Sequence, residues 1–439
     1  AWEVTADTLL YTATVAQEIA DDVVNIDNAM RWGFNWEAGP FQTWDLLGVS
    51  ALVARMEAGG RAIPPLAREV AENGVGSFYH DGQFWDWNTH SYQPLPASAR
   101  RLSMTSLRAS GTTIVRENRG ASLIDMGDGV LGVEFHTKMN ALDDDIAAML
   151  AAAVEEAKAN WRAIVVANDA GDFSVGANIA QVVMAARMRQ FPLIERGIRN
   201  LQSANMALKY SPVPVVVAPA GRVLGGGCEI VLHGQHVRAA AETYLGLVEV
   251  GVGVIPAGGG CKELLARWQT LAQKVMHEGG PFAPARRVFE MVAVATVATS
   301  AEDARQYGFL KKTDAVTLDR ERLLADAKAD AIGLAEAQAR GEWKIPEAPM
   351  FRPAGSGGRL VLEQVVDNLR LQGKATAHDV VVASKLAWVL TGGDHSSLET
   401  LTEQDMLDLE REAFLSLCGT TATQARMDHM LKTGKPLRN

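Results

Sequence analysis

Two glutamates beside glycine-rich segments are the residues of this sequence best suited to acid–base chemistry. Residues 225–229 read Gly-Gly-Gly-Cys-Glu and end in Glu229, and Glu249 follows within a later apolar segment. The neighbours of the second glutamate include Leu247 and Val250, and an apolar setting raises the pKa of a carboxyl group by removing water from its charged form. A carboxyl group of this kind can accept or donate a proton near neutral pH.

The residues before Glu229 predict a strand, a tight turn and a short helix. The apolar residues 213–217, with prolines at 212 and 214, predict a buried strand that ends in the glycine turn. Glycines let a ligand approach the backbone closely, and the first N–H groups of a helix lack acceptors and lie at its positive end. Such a turn can stabilise an oxygen that gains negative charge. We therefore predict proton transfer beside an enolate-like oxygen.

Each of these features also has a simpler interpretation. Glycines 225–227 alone are more often only a tight turn, and Glu249 could be a solvated loop carboxylate. Two nucleotide-binding motifs are excluded. Pro256 stands where the dinucleotide fingerprint needs its last glycine, and Cys261 follows glycines 258–260 where a phosphate loop has lysine.

Three motifs in this order resemble those of the enoyl-CoA hydratase (crotonase) family. They are residues 225–229, residues 248–260 (Val-Glu-Val-Gly-Val-Gly-Val-Ile-Pro-Ala-Gly-Gly-Gly), and residues 173–179 (Phe-Ser-Val-Gly-Ala-Asn-Ile), where Asn replaces the usual Asp. The resemblance implies an α/β fold, a crotonase-type spiral of ββα units, flanked by an N-terminal helical domain and a C-terminal helical segment. It also implies that the N–H groups of Val175 and Gly226 hold the thioester oxygen of an acyl-CoA.

The same resemblance implies the reaction. Glu229 would take a proton from water and Glu249 would deliver one to the α-carbon, although the two labels could exchange. The substrate would be trans-2-enoyl-CoA and the product 3-hydroxyacyl-CoA, in fatty-acid β-oxidation, with no metal or redox cofactor. Six further residues are expected to contact the substrate: Lys138, Asn140, Ala141, Gly176, Ala177 and Gly225.

Alternatives to the hydratase interpretation stay open. Residues 138–142 resemble the segment near the CoA nucleotide in this family, but a plain strand-to-helix connection explains them equally well. An enoyl-CoA isomerase would need one base and no bound water. A non-catalytic module would bind acyl-CoA without turnover.

Composition sets the broad class of the protein. The chain has 439 residues, a formal net charge of −10 and 48% hydrophobic residues, which indicates a soluble acidic protein and argues against general nucleic-acid binding. Its cysteines, Cys228, Cys261 and Cys418, cannot all pair and lack metal-ligand spacing. We expect a reducing, cytoplasmic setting and no membrane insertion, because the apolar stretches are short.

The periodicity divides the chain into four parts. Residues 1–98 are predicted helical with a short aromatic hairpin at residues 74–87, residues 99–115 a linker, and residues 116–340 the crotonase-like domain. Residues 341–439 are predicted to be a linker through residue 358, followed by helices at residues 360–371, 378–391 and 403–418. Within the crotonase-like domain, the pattern predicts a hairpin at residues 122–135, a helix at 143–160 and a strand at 161–168.

The first part has a resemblance of its own. Residues 26–48 resemble the C-terminal helical domain of 3-hydroxyacyl-CoA dehydrogenases, and the order of domains resembles the C-terminal part of bacterial enzymes that fuse this dehydrogenase to a hydratase. Because the chain starts at Ala1 without methionine, we interpret it as a fragment. Residues 1–120 contain no Gly-x-Gly-x-x-Gly, so we expect no dehydrogenase activity from this chain. An acyl-CoA substrate, a homo-oligomer and a possible thiolase partner are the expected partners.

Overall fold

The computed structural model describes residues 1–34, 36–96, 101–109, 113–272 and 280–439. It divides into two compact units, Ala1–Ala99 and Arg100–Asn439. The predicted domain boundary at residue 98 and parts of the predicted linker 99–115 lie outside the described residues.

Unit 1 consists of helices and a small antiparallel sheet around aromatic side chains. Phe41, Trp44 and Phe78 are fully buried, and the rings of the two phenylalanines meet edge to face with centroids 4.7 Å apart. Its described elements are α1 (Trp2–Ile19), α2 (Val23–Phe34), α3 (Pro40–Leu47), α4 (Val49–Ala58), α5 (Pro65–Asn73), β1 (Tyr79–His80), β2 (Gln83–Asp86) and β3 (Ser91–Pro94). These elements confirm the predicted helices and aromatic hairpin.

The third strand of this sheet was not predicted. The predicted hairpin ends at residue 87, because Pro94 and Pro96 argue against a further strand, but β3 pairs with β2 and forms an edge of the sheet. Proline is tolerated on an edge strand because one side of that strand needs no donor. The prolines therefore do not exclude a strand at this edge of the sheet.

The centre of unit 2 is a seven-stranded mixed sheet in the order β13-β10-β8-β7-β6-β5-β4. Strands β6, β7, β8, β10 and β13 pair in parallel, and β4, β5 and β6 pair antiparallel. The strands are β4 (Ile114–Glu117), β5 (Ala121–Asp125), β6 (Val130–Phe135), β7 (Ala163–Ala167), β8 (Val215–Ala218), β10 (His236–Ala240) and β13 (Ala315–Thr317). Strands β5 and β6 confirm the predicted hairpin, and β7 and β8 the two predicted buried strands.

A second, three-stranded sheet positions the predicted catalytic segments. It comprises β9 (Gly221–Leu224), β11 (Thr243–Gly246) and β12 (Val297–Ala298), with β11 in the middle. Strands β9 and β11 are parallel and pair Leu224 with Gly246, and the Gly225 N–H donates to the Gly246 carbonyl at 2.9 Å. Both strands therefore end at the same edge, one leading to Glu229 and the other to Glu249.

Helices cover the sheets of unit 2. They are α6 (Met104–Ala109), α7 (Asp144–Asn160), α8 (Ile179–Arg187), α9 (Phe191–Lys209), α10 (Gly226–His233), α11 (Gly260–Leu271), α12 (Phe282–Val292), α13 (Ala301–Gln306), α14 (Leu323–Ala339), α15 (Gly355–Leu371), α16 (Ala377–Leu390), α17 (Glu403–Cys418) and α18 (Thr421–Thr433). Helix α6 lies inside the predicted linker, α15 begins before the predicted linker ends, and α18 was not predicted. Packing overrides weak local preference at these positions.

The C-terminal helices share one hydrophobic core with the sheet domain. Leu386 of α16 and Leu417 of α17 are buried in the same cluster as Ile230 of α10 and Leu264 of α11. Residues beyond 341 therefore pack within unit 2 and lie close enough to its glycine turns to contact them. Among the helices that the structure describes, none has the length and apolar character needed to cross a membrane.

Candidate active site

Glycines allow the two loops of the predicted oxyanion site to meet. A Cβ atom added to Gly176 would lie 2.9 Å from the Leu224 carbonyl oxygen and 3.4 Å from the Gly226 nitrogen, and one added to Gly227 would lie 2.8 Å from the Cβ of Ser174. Side chains at these positions would collide with the facing loop. Residues 173–179 and 225–229 thus lie against each other, as the family resemblance implies.

The two N–H groups predicted to hold an oxygen lie on these adjoining loops. The Gly226 N–H is the first of α10 and has no acceptor within the helix. The Val175 N–H donates to the Met139 carbonyl at 3.4 Å, which is long for an N–H···O bond. An incoming oxygen would therefore replace only a weak internal hydrogen bond at this second position.

The segment before α7, predicted to contact substrate, holds the loop at 173–179 in place. The Asn140 side chain is buried and donates to the Asp172 carbonyl at 3.0 Å, and the Ser174 hydroxyl donates to the Asn140 carbonyl at 2.7 Å. Met139 and Asn140 both have left-handed backbone angles, with φ of 57° and 50°. Lys138 is exposed beside them. Asn140 therefore supports the loop at residues 173–179 through its side-chain N–H and its backbone carbonyl.

The remaining predicted contact residues fall on the same loops. The Ala141 carbonyl accepts a hydrogen bond from the Thr137 hydroxyl at 2.8 Å. Ala177 forms a bridge with Leu142, and its nitrogen is 3.8 Å from a Cβ atom placed on Gly226. Ala177 is therefore part of the same cleft between loops, whereas Ala141 lies at the turn that precedes it.

Glu229 is buried in α10 and is held by backbone donors. Its Oε1 accepts hydrogen bonds from the Gly258 N–H at 2.7 Å and the Gly260 N–H at 2.9 Å, and the residue is 2% exposed. Burial raises the pKa of this carboxyl group to about 7, and the two N–H donors counteract only part of that effect. Glu229 can therefore exist in either protonation state at neutral pH.

Glu249 faces the glycine turn that begins α10. It opens the 3-10 turn Glu249–Val252, and a Cβ atom added to Gly225 would lie 3.0 Å from its Oε1. Its Oε2 is buried and, within the described part of the chain, has no hydrogen-bond partner. Burial and then the charge of Glu229 raise the pKa of this carboxyl group well above its ordinary value. A buried oxygen without a partner is costly, which suits an atom that must meet a ligand or water.

The arrangement gives a testable pH dependence of stability. Because the folded protein binds the Glu229 proton more tightly than the unfolded chain does, the contribution is fully present below the ordinary pKa of 4.5 and is lost as the pH rises through about 7. Glu229→Gln removes this titration. We expect the free energy of unfolding of the wild type to fall relative to that variant between about pH 5 and about pH 8. Denaturant titrations of both proteins at several pH values measure the difference, and a constant difference would contradict the assignment.

The amino-acid sequence of the site region has known relatives. Residues 125–322 match the model of the enoyl-CoA hydratase/isomerase family. The structure resembles that of a carnitinyl-CoA dehydratase from Mycobacterium thermoresistibile, with a TM-score of 0.52 and 16% identity, covering 72% of this chain and 91% of that chain. Unit 2 therefore has the crotonase fold, and residues 125–322 are called the family-matched segment below.

Two curated relatives extend the comparison. A protein of Bacillus subtilis (strain 168) named "Probable 3-hydroxyacyl-CoA dehydrogenase" is 39% identical over 440 residues, which cover 100% of this chain and 54% of that protein. The mitochondrial methylglutaconyl-CoA hydratase of Mus musculus is 30% identical over 151 residues, covering 34% of this chain and 45% of that protein. This chain therefore spans about half the length of the first relative.

Another buried glutamate contacts residues 259–262 and lies outside the family-matched segment, and the sequence did not predict it. Glu410 of α17 is fully buried, and its two oxygens accept from the Gly259 N–H at 2.8 Å and the Lys262 N–H at 2.7 Å. Burial and then the charge of Glu229 raise its pKa well above the ordinary value. The sequence does contain a signal that Glu410 is buried. It lies on the apolar face of a helix, at helical spacing from Met406, Leu407, Ala413, Phe414 and Leu417.

An ion cluster next to residues 258–262 connects α17 to the family-matched segment. The Lys209 ammonium lies 2.6 Å from Glu263 and 2.6 Å from Glu403, and the Lys262 ammonium lies 2.7 Å from Glu403 and also pairs with Glu263. All four side chains are buried. Two positive and two negative charges balance, so the cluster can remain ionised without water.

His233, one turn after Glu229 in α10, is not available as an acid near neutral pH. Its Nδ1 hydrogen-bonds with the Glu229 carbonyl at 2.7 Å, and its Nε2 is 3.6 Å from Glu263. Burial and then the nearby Lys262 charge lower its pKa to about 3. The imidazole is therefore neutral under ordinary conditions. The groups near the glycine turns that can exchange a proton at neutral pH are therefore carboxyl groups such as that of Glu229.

Proposed function

We propose that unit 2 adds water to trans-2-enoyl-CoA and forms 3-hydroxyacyl-CoA. One observation carries this proposal: the carboxyl groups of Glu229 and Glu249 both have raised pKa values and lie close enough for the charge of Glu229 to act on Glu249, whose Oε1 faces the turn before α10. The match of residues 125–322 to the enoyl-CoA hydratase/isomerase family supports acyl-CoA chemistry of this type.

The proposed mechanism assigns each group one step. The thioester oxygen accepts from the N–H groups of Gly226 and Val175, which stabilise the negative charge that develops during addition. Ionised Glu229 removes a proton from water while the water oxygen bonds to the β-carbon, and protonated Glu249 gives its proton to the α-carbon. Glu229 gains a proton and Glu249 loses one, so a proton must pass from Glu229 back to Glu249, directly or through solvent, before the next turnover. Since the carboxyl groups are coupled, their roles could exchange.

Hydration is tested directly with purified protein. We expect crotonyl-CoA and longer enoyl-CoA esters to lose the ultraviolet absorbance of the conjugated thioester, because water addition removes the conjugation. Binding of a saturated CoA ester is measured in parallel by calorimetry. Absorbance that stays constant for every chain length, in folded protein that binds the ester, would favour a non-catalytic acyl-CoA-binding module.

An isomerase is the second candidate, because the matched family includes both activities. Moving a double bond needs proton transfer at carbon and no added water. A 3-enoyl-CoA substrate would then gain conjugated absorbance. Conversion of this substrate with no hydration of the 2-enoyl ester would favour the isomerase.

We propose further that this chain alone does not oxidise 3-hydroxyacyl-CoA with NAD. Residues 1–120 contain no strand followed by Gly-x-Gly-x-x-Gly, the turn that places a helix N-terminus against a dinucleotide phosphate. Calorimetry should detect a CoA ester and no NAD binding. NADH formed from 3-hydroxybutyryl-CoA would contradict this proposal.

The cellular role and assembly are proposals of the same kind. We place the reaction in cytoplasmic fatty-acid β-oxidation, without a metal or redox cofactor, within a polypeptide that also carries a dehydrogenase. A homo-oligomer and a thiolase partner are proposed with it. Light scattering of the purified chain tests whether it forms a homo-oligomer, and a monomer at all concentrations would contradict this proposal.

A further inference from the structure

We propose that Glu410 is a positioning residue for Glu229, acting through residues 258–262, the glycine turn with the first residues of α11, which both side chains contact. This inference rests on the proposed hydration chemistry, because it assigns a role to the support of one proposed catalytic group. Glu410 lies outside the segment that matches the hydratase/isomerase family.

The two carboxylates bind alternate N–H groups of this turn. Glu229 accepts from Gly258 and Gly260, and Glu410 accepts from Gly259 and Lys262. Successive N–H groups therefore point to opposite sides, toward one carboxylate and then the other. A displacement of Glu410 would rotate the peptide units that hold Glu229.

The turn needs such an external support because it is made of glycine. Glycines 258–260 have no side chains that could fix the backbone, and Gly259 has a φ of 104°. A Cβ atom added to Gly258 would lie 2.4 Å from Glu229 Oε2, so the close fit itself excludes a stiffer residue. Hydrogen bonds from outside the turn must therefore supply its rigidity.

Helix α17 is itself fixed where it contacts the turn. The Gln202 amide donates to the Ala257 carbonyl at 2.8 Å and to the Leu407 carbonyl at 2.9 Å, so one side chain joins the turn to α17. The Asn205 amide donates to the Gly258 carbonyl at 2.9 Å. Glu403, two turns before Glu410, is held in the buried ion cluster. These contacts make α17 a rigid platform for Glu410.

Glu410→Gln is the central test. Gln has nearly the same size, but its amide nitrogen cannot accept a hydrogen bond, so one of the two turn N–H groups loses its acceptor. We expect kcat to fall about 10-fold to 100-fold with little change in KM, since small misplacement of a catalytic group has costs of this order. Amide hydrogen exchange at residues 258–262 should become faster. Glu412→Gln, an exposed substitution on the same helix, should change neither quantity.

A double variant separates positioning from general weakening. If Glu410 acts through Glu229, then Glu410→Gln should cause little further loss in protein that already carries Glu229→Gln. Full multiplication of the two losses would overturn the inference. If Glu410→Gln does not fold, Glu410→Asp keeps the charge with a shorter reach. It should show faster exchange at residues 258–262 and a smaller fall in kcat.

Failure of the proposed function is distinguishable from failure of this inference. If the wild type does not hydrate any enoyl-CoA, hydrogen exchange at residues 258–262 still tests the structural link. Unchanged exchange in the Glu410 variants would overturn the positioning role in either case. Faster exchange with wild-type kcat would also overturn it, because the turn would then loosen without consequence for Glu229.

Discussion

Glu229→Gln and Glu249→Gln are each expected to lower kcat by about 10²–10⁴-fold, the usual contribution of a positioned general acid or base. Glutamine keeps the size of the side chain and one oxygen that can accept the N–H groups at residues 258–260, but it cannot exchange the required proton. We expect this loss of kcat to be far larger than any change in thermal stability at the pH of the assay. The measurement is steady-state hydration of an enoyl-CoA beside thermal denaturation.

The pattern of losses decides between the candidate functions. Glu412→Gln is the matched control for charge, because it replaces an exposed glutamate of the same unit. Hydration near the wild-type rate in Glu229→Gln would remove this residue from the hydratase mechanism and favour the one-base isomerase. A loss of folded protein equal to the loss of activity would mean that the pair has a structural role.

Gly258→Ala is expected to lower kcat by about 100-fold, although it adds only one methyl group. The new Cβ would lie 2.4 Å from Glu229 Oε2 and 2.9 Å from the Cδ of the same carboxylate, which is too close for any pair of non-bonded atoms. The carboxylate must move, since the backbone of the turn is held by Glu410 on its other side. Steady-state kinetics and substrate affinity should show a fall in kcat larger than any change in KM.

Gly251→Ala provides the matched control for this substitution. It lies in the 3-10 turn that carries Glu249, and a Cβ atom there would meet no atom within 4 Å. We expect activity near that of the wild type. Equal losses in the two alanine variants would indicate that backbone stiffness, and not displacement of Glu229, limits the reaction.

Much of the architecture could be predicted from periodicity. The hairpin of β5 and β6 follows from alternating apolar residues around Gly127-Asp128-Gly129, and α7 follows from its aspartates and helical spacing. The meeting of residues 173–179 with residues 225–229 was implied by the family resemblance, which assigns one N–H group of each segment to the same oxygen. These features depend on contacts that are local or carried by short motifs.

The support of the site could not be predicted in the same way. Along the chain, most of the C-terminal helices lie between Glu410 and the residues 259–262 that it contacts. A glutamate in a helix with Glu412 nearby is ordinarily predicted to face solvent. Asn140 was predicted to contact substrate. The direction of its side chain depends on two successive left-handed residues that no spacing pattern reveals. Long-range packing therefore decides what local sequence leaves open.

The hydrogen bonds of Glu229 and Glu410 with residues 258–262 determine how large a piece of the chain would have to be transferred to another protein to keep the site intact. Cutting the chain at the end of the segment that matches the family, residue 322, would remove α17 and with it Glu403 and Glu410. The Gly259 N–H would lose its acceptor, and Lys209 and Lys262 would share the single counter-charge of Glu263. A buried ammonium without its partner is strongly destabilising. The smallest piece of the chain that keeps these contacts therefore extends through α17, well beyond residue 322, where the match to the family ends.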